Sequence, residues 1–346
     1  MPAARFHVVL VVPDAQHSAQ GAREVAETLL HGLRRSGREA TLAVNGVDRG
    51  AVNIVLNPHL LGVEAAQTLP PETILYNFEP VQRESEHLKL RYVDLVRRHV
   101  TWDASRNNVE AWQRYVPGVR VAYMPLGSAP EMAPILDAAL RTEPPAPAAD
   151  PAPIPRRLNA GSGKGWRIDC VNVDVDPLWR PDLVADLGKP LAAGKVVDLG
   201  RFGRRELPLD YFDEIHASHL LEHIPDLVTA MGTFLALLRA GGRLHAEVPY
   251  DLSYGAWQDP THVRAMNERS WLYYTDWFWY LGWQEHRFEL VELQYLLSDI
   301  GRKLSAAGTP FEEFVRIPRA VDAMRVVLRK VRLTDEERAR GADRWA

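Results

Sequence analysis

The first chemical signal in this 346-residue chain is a pair of glycines followed by an aspartate. The stretch RLNAGSG at residues 157–163 reads as a short buried strand and a glycine turn, and VNVDV at 171–175 as a second strand ending in a carboxylate. Gly161 and Gly163 let the backbone turn sharply and approach a ligand with no Cβ in the way. Asp174, at a strand's carboxyl end, is placed to accept hydrogen bonds from ribose hydroxyls. A phosphate-loop reading of 161–165 fails, because no upstream glycine has the required spacing and no Ser or Thr follows Lys164. His219, Glu222 and His223 spell H-x-x-E-H, the pattern of inverted zinc peptidases. It directly follows a buried apolar strand and has no third ligand in a peptidase-like context, so no metal is expected. Asp259 and His262 lie in a polar loop beyond a later strand, where an imidazole can serve as a base near neutral pH. In this reading Asp259 orients the His262 ring.

Those residues need elements to hold them. Residues 6–12 form a continuous apolar run, as in a strand buried on both faces. Residues 20–35 show helical spacing and stop at Ser36–Gly37, and 40–44, 53–56 and 73–77 read as further strands. This alternation predicts a parallel α/β unit over residues 1–135. Residues 143–155 hold six prolines and no aromatic group, so 136–155 is read as a linker. A second alternation fills 156–333, with strands at 157–160, 170–175, 183–186, 212–218, 243–249, 286–297 and 321–331. A helix at 226–238 is expected to end through a left-handed glycine at 240–242. Residues 187–207 read as an irregular excursion, and 334–346 as a charged, frayed tail. Eight aromatic residues between Trp271 and Trp283 read as core, or as a lid over the pocket.

The net charge of −4 argues against general nucleic-acid binding, and the lone Cys170 rules out an internal disulfide and suits a reducing cytoplasm. The apolar run near the amino terminus is too short to span a bilayer and lacks a small-residue cleavage site, so no membrane span or export is expected.

Taken in order, these motifs resemble class I S-adenosylmethionine-dependent methyltransferases, in the type 11-like branch found with bacterial surface-glycan genes. The matching stretches are 158–163, 172–174, 181–187, 212–224, 238–244, 248–249 and 259–262, and the likeness covers about residues 155–332. It implies a seven-stranded sheet, and a cofactor, S-adenosyl-L-methionine, held by Asn159, Gly161, Ser162, Gly163, Asp174, Val175, Asp186, Leu187, Ser218 and His219. Asp186, rather than Asp198 in the similar pair Asp198–Leu199, is favoured to face the adenine. Tyr250, Arg264, Tyr273 and Tyr274 are read as acceptor contacts, and His219, His262 and Asp259 as the catalytic groups. Asp174 follows Gly163 by only 11 positions, so the first crossing helix must be very short or replaced by a loop.

Residues 76–79, 100–108 and 121–127 resemble the amino-terminal half of bacterial GT-B glycosyltransferases. The half that would hold a nucleotide-sugar is absent, which implies recognition or assembly rather than sugar transfer. The combined expectation is an α/β chain of two Rossmann-like domains that O-methylates a sugar, glycan or glycosylated intermediate; a homodimer is left open. The alternatives are N-methylation of a small metabolite or peptide, and a glycosyltransferase-related protein using the first domain.

Overall fold

The computed structural model describes residues 4–12, 20–82, 85, 88–116, 118–142 and 153–343. The chain divides into two compact units, Met1–Pro153 and Ile154–Ala346.

The first unit holds strands β1 (Phe6–Leu10), β2 (Ala40–Val44), β3 (Val52–Leu56), β4 (Ile74–Asn77), β5 (Val100–Asp103) and β6 (Val121–Tyr123). They form one sheet in the order β2-β1-β3-β4-β5-β6, with every pair parallel. Helices α1 (Gln20–Arg35), α2 (Val63–Gln67), α3 (Leu90–Arg98), α4 (Arg106–Tyr115) and α5 (Ala129–Arg141) supply crossovers and cover. Val8, Leu10, Ile54 and Tyr76 pack with Leu29 and Leu33 of α1 and Met132 and Leu136 of α5. The continuous apolar runs of β1 and β3 follow from a sheet buried on both faces.

The residues that carry the glycosyltransferase likeness build a buried polar knot. Asp103, at the end of β5, accepts from Asn77 Nδ2 at 2.7 Å, Asn108 Nδ2 at 3.0 Å and Trp112 Nε1 at 3.2 Å. Burial pushes its pKa above the ordinary carboxylate value, and these hydrogen bonds pull the other way. Asn108 also accepts the Val81 amide, so the knot pins the loop after β4. α5 runs through Arg141, so no linker begins at 136; residues 143–152 of the expected linker lie outside the described residues.

The second unit holds β7 (Arg157–Ala160), β8 (Val171–Asp174), β9 (Leu183–Val184), β10 (Val196–Asp198), β11 (Arg204–Glu206), β12 (Phe212–Ser218), β13 (Leu238–Pro249), β14 (His286–Leu297) and β15 (Val321–Arg332). Its helices are α6 (Leu227–Leu237), α7 (Asp299–Ala306), α8 (Phe311–Phe314) and α9 (Asp335–Asp343). Seven strands form a sheet in the order β14-β15-β13-β12-β7-β8-β9. β15 is antiparallel to both its neighbours, while the remaining pairs are parallel.

Three expectations are corrected. The 187–207 excursion contains the β10–β11 hairpin. α6 ends at Leu237 with an extended Leu238, and Gly241 takes its left-handed φ of 76° inside the irregular start of β13 rather than at a helix cap. Residues Asp335–Asp343 of the expected frayed tail are helical, as α9, and 344–346 lie outside the described residues.

Candidate functional site

The glycine turn sits between the ends of β7 and β8. Asn159 Nδ2 donates to the Gly165 carbonyl at 2.9 Å and to Asn172 Oδ1 at 3.0 Å, which folds residues 161–165 back over the strand ends. A single turn of 3₁₀-helix, Gly163–Gly165, stands where a longer crossing helix would need more chain. Gly161 has φ +64°, and a Cβ there would lie 2.8 Å from Leu220 Cδ1. The next strand end closes onto this turn: Asp174 Oδ2 accepts the Gly163 amide at 2.8 Å, and Oδ1 accepts the Asp176 amide at 3.0 Å. A carboxylate offers about four acceptor positions, so Asp174 keeps capacity for two more donors. Ser162 is buried, and its hydroxyl has no hydrogen-bond partner.

A cleft of about 860 Å³ opens beside this turn. Asn159, Gly161, Ser162, Gly163, Ser218 and His219 line it. Val175 is exposed just past Asp174, and Leu187 is buried. Asp186 accepts the Gly188 amide at 2.9 Å and pairs with Lys189 at 3.0 Å. Lys189 holds its pKa below the usual carboxylate value. Asp198 belongs to the β10–β11 hairpin, where it accepts the Gly200 amide. None of Asp174, Asp186 and Asp198 lines the cleft itself; Asp174 meets its rim through the Gly163 amide it holds.

His219 follows β12 at φ +50°, a conformation a non-glycine residue adopts only under constraint. Its amide donates to the Glu247 carbonyl at 2.8 Å, which fixes the backbone against β13. Its ring lies between two carboxylates, with Nδ1 3.3 Å from Glu222 Oε1 and Nε2 3.2 Å from Glu247 Oε1. Glu222 raises the ring's pKa most strongly; partial burial opposes it, and Glu247 adds to it. Arg325 Nε donates to the second Glu247 oxygen at 2.6 Å. A chain His219–Glu247–Arg325 therefore forms one wall of the cleft.

The floor was missed in the sequence. β12 and β13 alternate with period two: Ile215, Ala217, Leu244 and Ala246 are buried, whereas Glu214, His216, His245 and Glu247 point to the other face. His216 stacks on His245 at 4.9 Å between ring centroids. That polar alternation was the available signal.

The remaining sequence-selected residues lie elsewhere. Asp259 does not orient His262, because Asp259 Oδ1 accepts the Thr261 amide at 2.8 Å and hydroxyl at 2.7 Å, while His262 Nδ1 bonds the Ala256 carbonyl at 3.1 Å. The Arg264 guanidinium is engaged by the Ile224 and Pro225 carbonyls, each at 2.6 Å, and so braces a turn. Tyr250 is buried, and its hydroxyl donates to Glu268 at 2.8 Å. Tyr274 is buried too, which pushes its pKa to about 12, while Tyr273 is exposed against Trp277 and Tyr280. The aromatic block divides between core and surface. Phe278, Trp279 and Trp283 line a separate cavity beside β14 and α9, so the block forms no lid over the cleft. Residues 219–223 make no α-helical face for the H-x-x-E-H pattern, since only Leu221–His223 is helical and that turn is 3₁₀.

No family model matches the chain, and no curated protein does. Among solved structures it is similar to an S-adenosylmethionine-dependent methyltransferase from Mesorhizobium loti, at 17% identity and a TM-score of 0.32, over 57% of this chain and 96% of the other. A SAM-dependent methyltransferase from Archaeoglobus fulgidus matches at 17% identity and a TM-score of 0.32, over 51% of this chain and 86% of the other. A Burkholderia thailandensis 1,6-didemethyltoxoflavin-N1-methyltransferase with bound S-adenosylhomocysteine matches at 17% identity and a TM-score of 0.28, over 51% and 70%. At scores this low we rest no argument on these likenesses.

Proposed function

We propose that the second unit is an S-adenosyl-L-methionine-dependent methyltransferase that O-methylates a sugar, glycan or glycosylated intermediate. The observation that carries this reading is the glycine turn after β7 locked to the terminal carboxylate of β8, in a seven-stranded sheet whose only reversed strand lies between β13 and β14. A seven-stranded sheet is what the methyltransferase likeness implies, and ligands of open α/β sheets bind at the carboxyl ends of the strands.

The donor set suits the cofactor. Asp174 has acceptor positions left for ribose hydroxyls, the glycine turn admits a close backbone approach, and the buried Ser162 hydroxyl lacks a partner. Bound there, S-adenosyl-L-methionine supplies a methyl group already made electrophilic by its sulfonium. The chain's own task is then alignment, which accounts for much of the rate in such displacements. An acceptor hydroxyl must also lose its proton. His219 stands at the cleft, and we assign it as base: Glu222 and Glu247 raise its pKa, which makes the ring a stronger base in its deprotonated form, so its contribution should grow as pH rises through that pKa. His262 lies outside the cleft lining and is not needed for that step.

The glycan part of the proposal rests on the glycosyltransferase likeness of the first unit, a fold-level analogy that assigns it recognition. Among the described residues no helix is long and apolar enough to cross a membrane. The test is release of S-adenosylhomocysteine with a panel of oligosaccharides and nucleotide-sugars, set against amines. Turnover with a hydroxyl acceptor supports the proposal, and turnover with amines alone overturns its O-methyl part. Sugar transfer without S-adenosylmethionine would return the chemistry to the first unit.

A further inference from the structure

Behind His219, away from the cleft lining, three potential ligands converge. One carboxylate oxygen of Glu222, one ring nitrogen of His223 and one of His262 lie within 4.8 Å of one another. Glu222 and His223 end the turn after β12, whereas His262 arrives from the loop after β13. The Val263 amide donates to the Glu222 carbonyl at 2.9 Å, so the backbone already holds the two segments together.

Glu222 is 2% exposed, yet neither carboxylate oxygen makes a hydrogen bond. Among the described residues its ion-pair partner is the His219 ring, with Nδ1 3.3 Å from Oε1, which leaves the second oxygen, Oε2, without a partner. Burying a carboxylate without hydrogen bonds is costly, so such a group calls for a cation.

The histidine tautomers are set by their neighbours. His262 Nδ1 faces the Ala256 carbonyl, which can only accept, so Nδ1 carries the proton. Thr261 gives its hydroxyl proton to Asp259 Oδ1 at 2.7 Å and can only accept from His223 Nδ1 at 2.9 Å. With Nδ1 as the donor in each ring, Nε2 is the nitrogen left to coordinate a metal. A ring N–H donated to a carbonyl, or through a hydroxyl to a carboxylate, is the support that metal-binding histidines have.

We propose that Glu222, His223 and His262 bind a divalent transition-metal ion, with zinc the expected occupant, and that Thr261 and Asp259 orient His223 for it. Two imidazoles and a carboxylate suit zinc or cobalt(II) rather than magnesium or calcium. Tetrahedral zinc, with bonds of about 2.0–2.2 Å, needs donors roughly 3.4 Å apart, which small side-chain rotations supply here. The ion ties the 259–264 loop to the end of β12 and gives the buried Glu222 carboxylate a partner beyond His219. This inference does not depend on methyl transfer, and it revises the expectation that the chain uses no metal.

The test is titration of the metal-stripped full-length protein with Co²⁺, followed by its visible absorption bands, then displacement by Zn²⁺, with Mg²⁺ as a control. One equivalent of Co²⁺ with bands of a nitrogen-ligated, low-coordinate site is expected. His262→Ala and His223→Ala should abolish those bands, and Thr261→Val should weaken binding at least about ten-fold. His223 and Thr261 are not buried, so their variants should fold, which the far-ultraviolet circular dichroism checks. Absence of one-equivalent binding in the intact protein, or unchanged bands in His223→Ala, would overturn the proposal.

Discussion

Asp174 accepts the Gly163 amide at 2.8 Å, so the carboxylate that ends β8 and the turn that follows β7 form one unit. The ligand-facing donors and acceptors are thereby placed before any ligand arrives, which lowers the cost of binding.

Gly161 is the most sensitive point of that unit. Its φ is +64°, and a Cβ added there would meet Leu220 at 2.8 Å. Gly161→Ala should therefore cost about 1–3 kcal/mol of stability and weaken cofactor binding. Thermal unfolding and binding measured on the same variant check this. Unchanged values in both would mean that the turn relaxes freely.

The 187–207 excursion has a structural task. The Arg201 side chain is buried and reaches back to Asp182 Oδ1 at 2.8 Å and to the Ile168 carbonyl at 2.6 Å, with its guanidinium over the Trp166 and Phe202 rings. Asp182 in turn accepts the Asn172 amide at 2.9 Å, so this pair fixes the base of β8. Arg201→Met should cost about 3–5 kcal/mol, because it leaves a buried carboxylate without its cation. Denaturant unfolding reads this directly, and the double variant with Asp182→Asn should recover part of the loss.

Much of this framework was legible in the sequence. Residues 20–35, 40–44, 157–160, 212–218 and 286–297 match their elements at both ends, because apolar periodicity and glycine or polar breaks coincide there. The glycine turn and Asp174 were legible for the same reason, since their spacing is local. What stayed hidden was long-range. The Glu222–His223–His262 convergence joins residues about forty positions apart, and Arg201 acts on strands that precede it. The H-x-x-E-H letters form no helical zinc motif, because the 3₁₀ turn replaces the helix that would put both histidines on one face. Tyr250 and Arg264 looked like acceptor contacts by type, but their polar tips are engaged by neighbours that no spacing rule discloses.

His216 gives the fold a pH dependence. Burial, with nearby Arg167 and His245 adding, lowers its pKa from 6.5 to about 4. The unfolded chain then binds more protons than the folded one between those values, so stability falls as pH drops from about 6.5 towards 4. His216→Gln should flatten that slope in denaturant midpoints measured between pH 4 and 7. An unchanged slope would contradict the assignment.

Cys170 is fully buried, and burial pushes its thiol pKa up to about 12. It should resist thiol reagents in the native protein and react at once in denaturant. Rapid labelling of the native chain would show that the base of β8 opens readily.

Cofactor binding by this site is read by calorimetric titration of the intact protein with S-adenosylmethionine and S-adenosylhomocysteine, repeated on Asp174→Ala. Stoichiometric binding in the micromolar range is expected, weakened at least about ten-fold when the carboxylate is removed, since two charge-assisted hydrogen bonds are lost. No binding by the intact protein, or equal binding by Asp174→Ala, would contradict this expectation.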